Sequence, residues 1–264
     1  MTRKDPLTRI RTHLKTLNLG RMEKSLDDVL ARAERDACTI AETLERLLAV
    51  EADALTERRI ERRVKESRLP DRKLLADFDF AFQTGIDKAR IMELSTLGFL
   101  ERNQGLILAG NSGTGKSHIA KALMLLACQK GYRCRYTTAA DMLAELMAAG
   151  ADDTLGRKLK TYVSPDLLLI DELGFDRLEQ HDARNASFFL KVIDGRYAKK
   201  PILLTTNIDF KQLGDYLGDP VITTAAVDRL VHHSIIMTVQ GPSWRMHESK
   251  KLNAEIKKTS SRKK

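Results

Sequence analysis

The sequence predicts an α/β fold: a parallel five-stranded sheet flanked by helices, preceded by a small all-α region. Three observations carry this. Five short apolar runs, GLILAG (105–110), RCRYTT (133–138), DLLLID (166–171), PILLTTN (201–207) and SIIMTV (234–239), alternate with amphipathic segments. That is the pattern of strands covered on both faces by crossover helices. The first run leads into GNSGTGKS (110–117), a glycine-rich turn opening a helical segment. Residues 1–66 repeat their apolar side chains at helical spacing.

The helical region comes first. Leu7, Ile10, Leu14 and Leu17 lie on one face, then Met22, Leu26, Val29, Leu30 and Ala33, then Ile40, Leu44, Leu47 and Leu48. No glycine or proline interrupts residues 21–69. The stretch TERRIERRVKES (56–67) is the most basic. Arg58 with Arg62, and Arg59 with Arg63, stand four apart and form two adjacent basic ridges. They are candidate phosphate contacts; the competing reading is a solvated face balanced by Glu57, Glu61 and Glu66. Leu69-Pro70-Asp71 ends the helix, because proline disfavours a helical residue before it. The predicted divisions are therefore 1–70, 71–248 and a basic flexible tail, 249–264. After FDFAF (78–82) a helical stretch covers about 86–100, and Gly131 ends the helix that follows the glycine-rich turn.

Charge and composition narrow the function. The net charge is +9, with +4 in residues 1–75, +6 in residues 245–264 and −1 between them. Such a distribution points to a polyanionic partner, nucleic acid first. Cys38, Cys128 and Cys134 form no CxxC pair and are odd in number. Neither a disulfide framework nor a zinc site is expected, and free thiols fit a reducing cytoplasm. No apolar run is long enough to span a bilayer, so no membrane role is expected.

Gly110 to Ser117 fits G-x-x-x-x-G-K-[ST], after a strand and before a helix. Gly110, Asn111, Ser112, Gly113, Thr114 and Gly115 would turn the backbone so that its N–H groups face phosphate oxygens. The helix N-terminus adds its positive end. Lys116 would neutralise the β/γ-phosphates of ATP, and Ser117 would ligate Mg²⁺; His118 follows. In DLLLIDE, Asp171 would hold Mg²⁺ and Glu172 would activate water. Carboxylates at the carboxyl end of a parallel strand face the ligand crevice. A second acid there favours ATP hydrolysis over a kinase reaction. Asn207 closes PILLTTN, where an amide can hold the lytic water or touch the γ-phosphate. Arg229 precedes the last strand and has no evident role in its own site; an arginine offered to a neighbour's γ-phosphate is worth orders of magnitude in rate. A salt bridge to Asp228 or a plain surface charge is the alternative. His232 and His233 read as structural or solvent-facing. Arg245, in GPSWRMH, could sense nucleotide or contact DNA.

Together these pieces resemble the P-loop AAA+ ATPases, and more narrowly the IstB-type ATP-binding helpers of insertion-sequence transposition, relatives of the DnaC-type helicase loaders. The resemblance rests on AGNSGTGKSHIAKAL, LLLIDELGFDRL, FFLKVIDGRYAKKPILLTTN and AVDRLVHHSIIMTVQGPSWR, and extends upstream to ERRIERRVKESRLP and ADFDF. It implies that Lys116, Ser117, Asp171 and Glu172 are the Walker residues, Asn207 the first sensor, and Arg229 a finger acting across a subunit interface. Arg245 becomes a candidate second sensor, although too few residues follow it for a lid domain. The resemblance also implies a DNA-gripping helical pair after the second strand; AADMLAELMAAGADDTLGRKLKTYVSPD (139–166) stands there, with Arg157, Lys158 and Lys160 toward DNA. An exposed loop helix is the alternative for that segment. The tryptophan common after sensor 1 in such helpers is absent from FKQLGDYLGDP.

The expected function is an ATPase that assembles with copies of itself on duplex DNA and selects or remodels the target for a cognate transposase. A DnaC-type helicase loader is the second reading. An ATP-gated scaffold with little hydrolysis, a protein adaptor without DNA contact, is a third, opposed by Glu172 and by the net charge of +9.

Overall fold

The computed structural model describes residues 5–175 and 184–261. The chain forms two compact units, the first running through Arg62 and the second from Arg63.

In the first unit, α1 (Pro6–Thr16), α2 (Gly20–Arg35) and most of α3 (Ile40–Glu66) follow the three predicted apolar stripes. Leu14, Met22, Leu26 and Leu47 form its core. The breaks between helices need neither glycine nor proline. Asn18 and Ala37 take left-handed backbone, with φ of 57° and 52°. Thr39 then starts α3 by a reciprocal cap: its N–H donates to Glu42 Oε2 at 2.7 Å, and its hydroxyl accepts from Glu42 N–H at 3.3 Å. α2 has no cap of its own. Its first N–H groups, of Arg21 and Met22, donate to the buried carboxylate of Glu51 at 2.9 and 3.0 Å, an anion where a helix N-terminus favours one.

The units part within α3, earlier than Leu69–Pro70. The last turn of that helix belongs to the sheet. Val64 is buried, the Tyr136 N–H donates to the Ser67 carbonyl at 2.7 Å, and the Arg63 guanidinium lies beside Gly131.

The second unit continues with α4 (Lys88–Ser95), α5 (Gly98–Glu101), β1 (Gly105–Ala109), α6 (Lys116–Gln129), β2 (Cys134–Thr138), α7 (Ala139–Ala151), α8 (Leu155–Val163) and β3 (Leu167–Leu173). α9 (Arg184–Arg196), β4 (Ile202–Thr206), α10 (Leu213–Leu217), α11 (Pro220–His232), β5 (Ser234–Thr238) and α12 (Trp244–Ser261) complete it. All five strands are parallel, in the order β2-β3-β4-β1-β5. Each predicted strand is present. Ile107, Leu168, Ile170 and Leu204 meet Leu143, Phe189, Val192 and Leu230 of the helices in one buried cluster. The helical pair expected after β2 is α7 and α8.

The tail, expected to be flexible, is helical through Ser261. The segment WRMHESKKLNAEIKK contains no glycine or proline and is rich in good helix formers. Among the described residues no helix is long and apolar enough to cross a membrane.

One buried cation ties the amino ends of the strands. Arg196, 1% exposed, donates to the carbonyls of Tyr162, Val163, Pro165, Asp166 and Pro201. Three of these carbonyls end α8 or follow it, and the others precede β3 and β4. Burial lowers the guanidinium pKa to about 10, against the opposing pull of Asp166.

Candidate nucleotide-binding site

The turn after β1 needs its glycines. Gly110, Gly113 and Gly115 have φ of +146°, +78° and +95°. A Cβ on Gly110 would lie 2.0 Å from the Val239 carbonyl oxygen, and one on Gly113 would lie 2.1 Å from Ser243 Oγ. The chain after β5 is thus pressed against the loop, and the Trp244 N–H donates to the Gly113 carbonyl at 3.0 Å. Within the turn, Thr114 Oγ1 donates to the Asn111 carbonyl at 2.8 Å. Lys116 Nζ donates to the carbonyls of Gly110 and Asn111 at 2.7 and 2.8 Å. Gly110 and Asn111 therefore hold the lysine. Burial depresses the lysine pKa; Asp171 opposes that and Arg245 adds to it.

Beside the loop, Ser117 Oγ donates to Asp171 Oδ1 at 2.8 Å. Asp171 is 1% exposed and receives two further hydroxyls, Thr205 Oγ1 on Oδ1 at 2.5 Å and Tyr136 on Oδ2 at 3.2 Å. Burial and the Asp171 charge raise the Tyr136 pKa, so the phenol stays a donor. The β3–β4 register shifts between Ile170 and Leu173, a bulge at Asp171 and Glu172. Glu172 there has φ of +61°. A bulge turns successive side chains away from strict alternation, and here Asp171 goes under Ser117 while Glu172 lines the cavity. The Glu172 N–H donates to Thr205 Oγ1 at 2.9 Å, locking the bulge to β4.

Glu172 and Thr205 line a cavity of about 510 Å³ with Ser112, Gly113, Thr114, Gly115, Lys116, Ser117, His118, Asn207 and Arg245, and Asp171 lies behind that wall. Asn207 Oδ1 is buried and has no hydrogen-bond partner among the described residues, which leaves it an acceptor for a water or ligand donor. His118 lines the cavity but is committed elsewhere: its Nε2 pairs with the Leu74 carbonyl at 2.8 Å, and its ring meets Phe78 edge-on.

Several contributors were not foreseen as site residues. Phe78, Phe82, Gln83 and Trp244 wall the cavity, Phe82 meeting Trp244 edge-on at 4.9 Å. The Gln83 amide donates to the carbonyls of Thr114 and Pro242 at 2.9 and 3.0 Å, joining the FDFAF segment to both loops. The signal was there: three phenylalanines in five residues of a chain only 5% aromatic. Tyr136 and Thr205 carried none, since nothing in sequence ties either to Asp171.

Arg229 is not part of this cavity. It borders a depression of about 30 Å³ at the amino ends of the strands, with Gly105, Ile202 and Ser234. Its partner is Asp194, at 2.6 Å, and not the anticipated Asp228. The basic candidates also separate. Arg59, Arg157 and Lys160 are exposed. Arg58 pairs with Glu51 at 3.5 Å, and Arg62 is exposed but also engaged. Arg63 is half-buried beside Gly131, off the outward ridge. Lys158 reaches Glu145 at 3.2 Å. Burial pulls the Glu145 pKa upward, but hydrogen bonds from Tyr162 and Lys158 outweigh it and the value falls.

Known proteins resemble this chain over most of its length. Residues 12–252 match the family described as IstB-like ATP binding protein. The chain is 37% identical over 250 residues to an insertion-sequence ATP-binding protein of Geobacillus stearothermophilus, covering 95% of this chain and 98% of the relative. It is 35% identical over 246 residues to one of Pseudomonas aeruginosa, covering 93% and 92%. The crystal structure of DnaI superposes with a TM-score of 0.53 at 19% identity, covering 64% of this chain and 92% of that one, a likeness of fold.

Proposed function

The chain belongs to the IstB-like ATP-binding protein family and is an AAA+-type ATPase; from that premise we propose that it assembles with copies of itself on duplex DNA and hydrolyses ATP to select or remodel a target for a cognate transposase. The observation that carries the reading is a division of labour. Lys116, Ser117, Asp171, Glu172 and Asn207 converge at the carboxyl ends of the strands, while Arg229 lies at the amino ends. A five-residue strand at about 3.3 Å per residue separates those ends by roughly 15 Å, beyond an arginine's reach. Arg229 therefore serves the phosphates of a second copy, and each site is complete only in the assembly.

Within a site, Lys116 exchanges the Gly110 and Asn111 carbonyls for β/γ-phosphate oxygens. Glu172 orients the attacking water and takes its proton, and Asn207 Oδ1 accepts from the same water. Ser117 Oγ and Asp171 Oδ1 are hard oxygen donors 2.8 Å apart. Among the described residues no cluster of three or more His, Cys, Asp or Glu could cage a metal alone. Two such donors suit Mg²⁺, which keeps water and phosphate as its other ligands and supplies charge neutralisation at the phosphates. Net charge of +9 and exposed Arg59, Arg157 and Lys160 support a nucleic-acid backbone as the surface on which copies gather.

The test is the mass of the full chain in solution. Glu172→Gln, which blocks hydrolysis, is combined with duplex DNA, single-stranded DNA or none, each with ATP, ADP or neither. A large assembly that requires ATP and duplex together, and weakens steeply with salt, is expected. A monomer that ignores duplex in the presence of ATP sinks the reading.

A further inference from the structure

We infer that Asp194 is a positioning residue for the ATPase reaction, aiming Arg229 at the phosphates of a neighbouring copy. The inference deepens the reading above and rests on Arg229 acting in trans. Asp194 lies on α9 and Arg229 on α11, and the two helices pack over a shared core of Val192, Ile193, Ala226 and Leu230. They are joined above it by two rungs. One is Arg229 Nε to Asp194 Oδ1, at 2.6 Å. The other is Tyr197 Oη with His232 Nδ1, at 2.8 Å. Tyr197 and His232 stand three residues after Asp194 and Arg229, so each rung lies one helical turn from the other.

The guanidinium is fixed at two of its nitrogens. Nε is held by Asp194, and Nη1 donates to the Ala225 carbonyl at 2.9 Å. Nη2 makes no hydrogen bond with the described residues. Arginine presents its five N–H groups in a rigid plane. The ion pair at Nε and the hydrogen bond at Nη1 together hold the plane that carries Nη2. The two side chains remain 36% and 48% exposed, so the plane is held where another molecule can meet it. A structural arginine on the same helix pair looks different: Arg196 is enclosed and spends both terminal nitrogens on carbonyls of its own chain.

Two outcomes separate aiming from restraint. If Asp194 aims the guanidinium, its loss slows hydrolysis; if it merely restrains Arg229, its loss speeds it. The experiment uses the full chain, with phosphate release measured at saturating ATP and duplex DNA. Asp194→Asn keeps the shape, and its melting temperature checks folding. Its kcat should fall about 10²-fold, the scale of a misplaced reacting group, with the KM for ATP unchanged. Mixing then locates the defect. An Asp194→Asn chain keeps a sound cradle, and a Lys116→Ala chain keeps a sound Arg229. Combined, the two should recover activity several-fold above the sum of their separate rates. An Arg229→Ala and Lys116→Ala mixture is the control. An unchanged or faster Asp194→Asn enzyme overturns the inference. So does a mixture that fails to recover while the control recovers. A control that also fails overturns the trans reading beneath it.

Discussion

The two ends of the sheet use polar side chains in opposite ways. At the carboxyl ends, Ser117, Tyr136 and Thr205 all turn inward on Asp171, and Lys116, Glu172 and Asn207 stand around one cavity. At the amino ends, two arginines on adjoining helices border the same small depression yet are used differently. Arg196 is closed in and gives its hydrogens to five carbonyls, whereas Arg229 is half open and gives its Nε to one carboxylate. The contrast teaches that residue type does not assign a role here. Parallel strands gather their carboxyl-end loops into one crevice, so polar groups there converge by topology. At the amino ends the described residues leave only a depression of about 30 Å³, and burial separates a clamp from a presented cation.

The sharpest way to test the carboxyl end is Glu172→Gln. It keeps the bulge and the cavity wall but removes the carboxylate proposed as the base, so kcat should fall by about 10²–10⁴-fold. ATP affinity should stay within a few-fold, measured by equilibrium binding beside phosphate release. Equal loss of binding would mean the carboxylate holds nucleotide instead of activating water.

At the amino end, Arg196→Met should leave buried carbonyls unpaired around a chain of similar length. Destabilisation of about 3 kcal/mol is expected, in the range for breaking a buried charged network, read as the shift in urea midpoint. Arg229→Ala should shift that midpoint far less. Equal shifts would erase the distinction between clamp and presented cation.

The smallest effect belongs to Tyr136→Phe, which removes one hydroxyl from Asp171 and leaves two. A hydrogen bond to a charged group is worth about 1.5–3 kcal/mol when lost outright, and the remaining two donors limit the loss to the lower end. The rate should fall about tenfold, with a higher Mg²⁺ concentration needed for half-maximal activity. An unchanged Mg²⁺ dependence would show that Ser117 and Thr205 suffice to orient the carboxylate.

Much of the fold was legible because its signals are local. Each predicted run became a strand; the central β1, β3 and β4 are apolar because they are buried on both faces, while β2 and β5 at the edges are partly exposed. The glycine-rich turn was readable because only glycine tolerates φ of +78° or +95° pressed against Ser243 or Phe78. The helix of the tail was not read because charge was weighed over helix propensity. Ala37 and Asn18 broke helices without a glycine or proline to announce it.

By itself, then, the sequence determined the α/β class, the five strands, the phosphate loop and the acids that end β3. These depend on periodicity and on chemistry within a few residues. Tertiary structure alone decided that Tyr136 and Thr205 bind Asp171, that Glu51 caps α2 from a distant helix, and that Arg229 faces Asp194 at the far end of the sheet. Those pairings join residues 29 to 35 positions apart. They follow from strand order and helix packing, which no short stretch of chain encodes.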